Sequence, residues 1–184
     1  MNCVLHINGW PGSGKRTIGS IVASRIGGRL LDCHVMLNPA EALFERGDPL
    51  HASLLDAVRT IALDHAAKLK PNVSIVLTDP LSDDAFDTKL FERFRQLAKR
   101  RKARLVSVVL EIALEENVRR LLTPSRSEQR KLRRPEVLQQ MRDSYRLLRP
   151  SGAEILDLDV TQLTEVEAAT RIADWIRSAE RPTK

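Results

Sequence analysis

The sequence predicts an α/β three-layer sandwich around a five-stranded parallel sheet, and three observations carry that reading. Five short apolar segments alternate with segments of helical period along the whole chain. One of them, residues 72–78, is almost continuously apolar, as a strand covered by helices on both faces should be. The chain has 184 residues, 42% of them hydrophobic, enough for one sizeable core and too many for disorder. There is no internal repeat, low-complexity tract or inter-domain linker, so a single domain spanning 1–184 is expected.

The elements follow in order. Residues 3–8 are short and apolar and stop at Gly9, which reads as a buried strand. Residues 9–14 form a loop. From Lys15, the positions Ile18, Ile21, Val22 and Ile26 recur at helical spacing, and Gly27 and Gly28 end that helix. Residues 29–32 make a second strand. Pro39 is expected to start a small helix that stops before Gly47, and Pro49 a longer one to about Leu69, closed by Pro71. After the third strand, residues 83–101 read as a helix carrying Phe86, Leu90, Phe91, Phe94 and Leu97. A fourth strand covers 104–110, a helix 114–122, and a helix opened by Pro135 runs to about Leu148. Residues 154–158 form the fifth strand. Thr164 with Glu167 three residues on is a capping-box pattern for a last helix to about Ser178.

Composition narrows the function classes. Aromatic residues are only 4%, which leaves little for base-stacking platforms. Two cysteines, Cys3 and Cys33, exclude a disulfide framework and a cysteine-rich zinc site. No apolar run reaches the length of a membrane span, and the N-terminus has no leader pattern, so a cytoplasmic protein is expected. The net charge is +6, gathered in two clusters. One runs from Arg119 to Arg134 and the other from Arg93 to Arg104; the second reads mostly as a solvated helix surface.

The informative stretch is Gly9-Trp10-Pro11-Gly12-Ser13-Gly14-Lys15-Arg16-Thr17. It matches G-x-x-x-x-G-K, follows an expected strand and opens an expected helix. Glycines let the backbone turn tightly and aim several N–H groups at one small volume, and the helix N-terminus adds more. Lys15 is placed to reach the β- and γ-phosphates of a nucleotide. Directly after the lysine, where a magnesium-binding hydroxyl is usual, stands Arg16, with Thr17 next. Either Thr17 takes that role or the metal is held through water. Arg16 is a solvated helix residue or a further phosphate contact.

The loop, the aspartate ending the second strand and the arginine-rich segment between the fourth and fifth strands together resemble the nucleoside-monophosphate-kinase-like P-loop kinases. The small members of that group, such as shikimate kinase, gluconate kinase and chloramphenicol phosphotransferase, are the ones meant. The resemblance implies a sheet order of 2-3-1-4-5, ATP and Mg2+ as cofactors, and a small-molecule hydroxyl as phosphoryl acceptor. It places the acceptor region in residues 33–70 and an arginine-rich lid in residues 117–135. Asp32 would contact the acceptor hydroxyl, although a helix or loop cap is the competing reading. His34 beside it either shares that site or is an ordinary polar loop residue. Asp79 would orient magnesium or else start a turn. Arg119 or Arg120 would stack on adenine, and Arg126 and Arg130 would clamp phosphate, since a guanidinium is planar and forked. Two other readings stay open at this point: a polynucleotide-end or zeta-toxin-like kinase, with nucleic acid as partner, and a nucleotide-binding regulator without catalysis.

Overall fold

Alternation along the first strand sets the whole arrangement. In β1 (Cys3–Gly9), Cys3, Leu5 and Ile7 face one side of the sheet and Val4 and His6 the other. Every residue of β1 is buried, because both sides are covered. The computed structural model describes residues 2–123 and 132–179. Its sheet is parallel throughout, with order β2-β3-β1-β4-β5: β2 is Gly28–Asp32, β3 Ser74–Asp79, β4 Arg104–Glu111 and β5 Glu154–Asp159. This is the order that the resemblance implies.

One face is packed by α1 (Lys15–Arg25) and α7 (Glu165–Ser178). Ile18 and Val22 of α1 meet Ala168, Ile172 and Ile176 of α7 over Leu5, Ile7 and Val108. Small residues on α7 let the two helices approach closely over the sheet. Its start is the expected capping box, with Thr164 Oγ accepting from the Glu167 amide and the Glu167 carboxylate accepting from the Thr164 amide. The other face carries α3 (Pro49–Ala66) and α4 (Ala85–Arg101), whose Leu63, Phe91, Phe94 and Leu97 cover Val4, Ile75 and Leu77.

Three expectations are corrected. The helix expected from Pro39 starts earlier: α2 is Cys33–Leu43, with Asp32 as N-cap and Pro39 in its interior. The cap decides the start, because Asp32 Oδ1 accepts from the His34 amide at 3.1 Å. His34 is therefore a helix residue. The helix opened by Pro135, α6 (Pro135–Ser144), ends before Leu148. Residues 146–148 instead bond the β3–α4 connection, through the Arg146 carbonyl to the Asp83 amide and the Leu148 amide to the Leu81 carbonyl. The cluster from Arg93 to Arg104 is not simply solvated. Arg101 is buried and donates to the carbonyls of Ala66, Leu69, Lys70 and Val73. Arg93 and Arg100 pair with Asp56 and Asp64 of α3, and Arg104 with Glu154.

The remaining helix, α5 (Leu114–Leu121), joins α6 in a third apolar cluster that takes in Trp10, Val109, Leu121, Leu138 and Leu147. Among the described residues no helix is long and apolar enough to cross a membrane.

Candidate functional site

The parallel sheet brings the ends of β2, β3 and β1 to one rim, in the register Asp32 beside Thr78 and Asp79 beside Asn8. In an open α/β sheet that rim is where ligands bind. Asn8 holds it together from inside. Its Nδ2 donates to the carbonyls of Leu81 and Leu148, and its Oδ1 accepts from the amides of Gly9 and Leu81. All the polar capacity of this buried amide is used, so the loop leaves β1 in one direction.

The glycine loop then turns tightly, the Ser13 amide reaching the Trp10 carbonyl at 3.1 Å. Gly12 and Gly14 have φ of +95° and +91°, left-handed values that side chains rarely adopt. At α1 the N-cap is Gly14, which offers no side-chain cap, whereas α2, α3, α4 and α7 are capped by Asp32, Asp48, Asp84 and Thr164. A helix start built this way directs its first N–H groups toward an external anion. Lys15 Nζ donates to the Gly9 and Trp10 carbonyls at 2.6 and 3.0 Å, which centres its charge over the loop. The Ser13 hydroxyl is buried without a hydrogen-bond partner among the described residues. Trp10 turns its ring into the core, so it serves the loop through its backbone. Arg16 and Thr17 are exposed on the first turn of α1.

Two carboxylates face this rim. Asp32 is buried, and besides capping α2 it accepts from Thr78 Oγ1 at 2.8 Å through Oδ2. It is thus the cap of the competing reading and also a rim carboxylate. Asp79 is equally buried, and its Oδ2 has no hydrogen-bond partner among the described residues. Burial pushes its carboxyl up to about 7, the Asp32 charge adds to that, and the Arg59 and Lys15 charges pull the other way. The Cys33 thiol is pushed up to about 12, chiefly by burial, which leaves it unreactive. Among the described residues no three metal-ligating side chains cluster.

The arginines after β4 divide. Arg120 is committed to structure: it pairs with Glu116 at 2.6 Å and donates to the Val160 carbonyl at 2.9 Å, bracing the β5–α7 connection. Arg119 pairs with the same carboxylate but remains 70% exposed. Hydrogen bonds from both guanidiniums hold the Glu116 carboxyl down to about 2. Arg126 and Arg130 lie outside the described residues.

Sequence reading passed over three residues. Arg59 of α3 faces Asp79 and Cys33 electrostatically, and its Nε is buried without a hydrogen-bond partner among the described residues. Asn117 donates to the Pro11 carbonyl, and Arg142 of α6 donates to Asn117. No local pattern marks these residues, because their partners come from distant parts of the chain.

No protein-family model matches this chain, and no curated protein does. Solved structures match in fold. A shikimate kinase from Acinetobacter baumannii, solved with shikimate, superimposes with a TM-score of 0.61 at 20% identity, covering 98% of this chain and 96% of that one. An APS kinase from Mycobacterium tuberculosis, solved with AMPPNP and APS, gives 0.60 at 17% identity, covering 96% and 98%. A gluconokinase from Sinorhizobium meliloti gives 0.55 at 15% identity, covering 97% and 98%. Sheet order, glycine loop and these matches agree: the chain has the fold of the P-loop small-molecule kinases.

Proposed function

We propose that the protein is an ATP-dependent kinase that transfers the γ-phosphoryl group to a hydroxyl of a small molecule. The observation that carries this is the placement of the glycine loop and Lys15 on the same strand rim as Asp32 and Asp79. In this reading the loop amides and Lys15 bind the nucleotide's phosphates, and Lys15 stabilises the charge that develops on transfer. Asp32 orients the acceptor hydroxyl and accepts its proton as the oxygen attacks phosphorus and the bond to ADP breaks. Two hydrogen bonds hold Asp32 in place and leave it lone pairs for that contact. Residues 33–70 would build the acceptor region, with Arg59 in α3 among them; of the arginine-rich segment 117–135, residues 124–131 lie outside the described residues. Of the two candidate adenine stackers, Arg119 has the exposed guanidinium and is the one proposed.

The residues present fit a divalent cation. Asp79 offers a buried carboxylate oxygen without a hydrogen-bond partner among the described residues, and Mg2+ is commonly held by one or two carboxylates plus substrate phosphates. Asp79 would hold it, and Thr17 is the hydroxyl candidate. When bound, the ion neutralises phosphate charge.

Nucleic acid is disfavoured as acceptor. Arg93, Arg100 and Arg104 of the second basic cluster are paired with acidic side chains of the protein itself, which leaves them less charge for a nucleic-acid backbone.

The test is ADP release from ATP across sugar acids, shikimate, nucleosides and antibiotics, for the wild type and Asp32→Asn. Asparagine caps helices as well as aspartate does, so the fold should survive. The expected result is one acceptor class that speeds turnover and a loss of about a hundredfold or more in kcat for the variant. Nucleotide binding with no turnover on any acceptor would point instead to a regulator.

A further inference from the structure

Two helices outside the glycine loop reach it through one side chain each. Asn117 of α5 is fully buried, and its Nδ2 donates to the Pro11 carbonyl at 2.8 Å. Its Oδ1 accepts from Arg142 Nη1 at 3.1 Å, and Arg142 Nη2 donates to the Ile112 carbonyl at 3.1 Å. The amide has one workable orientation, since a guanidinium only donates and a carbonyl only accepts. The same guanidinium lies 6.0 Å from the centre of the Trp10 ring, a cation–π arrangement. Gly12 closes on the amide from the other side, where an added Cβ would fall 2.6 Å from Asn117 Nδ2. Trp10, Pro11 and Gly12 therefore all rest on this pair of side chains. Trp10 in turn supplies a carbonyl to Lys15 Nζ.

We infer that Arg142 is a positioning residue for the glycine loop: it orients Asn117, and Asn117 holds the loop in the shape that presents Lys15 and the backbone donors to a nucleotide. The inference rests on the nucleotide reading proposed above and extends it to α5 and α6. It makes phosphate affinity depend on a side chain that touches neither reactant. The two residues act in series, so their contributions should not add.

The test is ADP titration by calorimetry for wild type, Arg142→Lys, Arg142→Met, Asn117→Leu and the Asn117→Leu/Arg142→Met double variant. All are measured at a temperature where circular dichroism shows each protein folded. Both apolar variants should weaken ADP binding by about tenfold, the scale of one lost hydrogen bond near charge. The double variant should bind no worse than Asn117→Leu alone. Arg142→Lys, which keeps charge but loses the fork, should fall between. In a Trp175→Phe background only Trp10 emits, because the chain has 2 tryptophans, and Arg142→Met should shift its emission before nucleotide is added. Folded variants that bind ADP like the wild type, or losses that add in the double variant, would overturn the inference. Should Arg142→Met fail to fold, Arg142→Lys and Asn117→Ser decide it on the same readouts. A wild type that binds no nucleotide overturns the nucleotide reading itself, a distinct outcome from a wild type that binds and variants that match it.

Discussion

His6 and Asp79 lie on neighbouring strands and are both buried, with opposite effects on the pH dependence of stability. His6 packs against Phe91 and Phe94 with neither ring nitrogen hydrogen-bonded among the described residues, and burial, with a smaller push from Lys15, lowers it to about 3. Unfolded histidine titrates near 6.5, so the unfolded chain takes up this proton first and stability falls as pH drops from about 6.5 toward 3. Asp79 is raised to about 7 against 3.8 unfolded, so its contribution falls as pH rises between those values. Asp79→Asn should therefore gain on the wild type in unfolding free energy, measured by urea unfolding, as pH rises from about 4 to 7, by up to roughly 1.4 kcal/mol per pH unit. His6→Leu should gain in the acid direction. A constant offset between variant and wild type across the window would contradict either assignment. At this scale the sequence showed the glycine loop and Lys15 plainly, because phosphate binding ties residue type to spacing. It showed the position of Asp79 but not its charge state, which depends on burial by the whole fold. Asn117 was invisible because its partner Pro11 lies 106 residues away.

Element boundaries were legible where local chemistry sets them and blurred where distant contacts do. The Thr164 capping box is a local signal and stands as read. Proline at the start of α3 and α6 is local as well. Pro39 misled because Asp32, the last residue of β2, already caps the helix, so that the proline falls in its interior. Arg101 is the instructive residue. It sits in a run of cations that suggests solvent, yet Leu90, Phe94, Leu97 and Arg101 share one helical stripe, which places it on the buried face of α4. There its guanidinium ties together four carbonyls of the α3–β3 connection. Arg101→Met should keep the apolar stem contacts and strand those carbonyls, lowering stability by about 2–4 kcal/mol in urea unfolding. An unchanged midpoint would show that water replaces the clamp at no cost.

Across the whole molecule, the crossing order of the sheet brings chemistry together. Placing β1 between β3 and β4 sets the glycine loop beside Asp79 on one side and beside the α5 and α6 anchors on the other. Alternating periodicity established strands and helices, but the order of strands came from resemblance, since pattern says nothing about which strand neighbours which. The proposed acceptor stayed illegible for the same reason: Asp79 comes under the charges of Asp32 and Arg59 only after folding. In the proposed function everything depends on the loop from Gly9 to Thr17 gripping the phosphates of a nucleotide. The most direct measurement is calorimetric titration of ADP and ATP into the wild type and Lys15→Ala. Saturable binding by the wild type is expected, with a loss of about a hundredfold or more in the variant, the scale of a removed charge-assisted contact. Well-folded wild-type protein that takes up neither nucleotide, or a Lys15→Ala protein that binds them equally well, would contradict it.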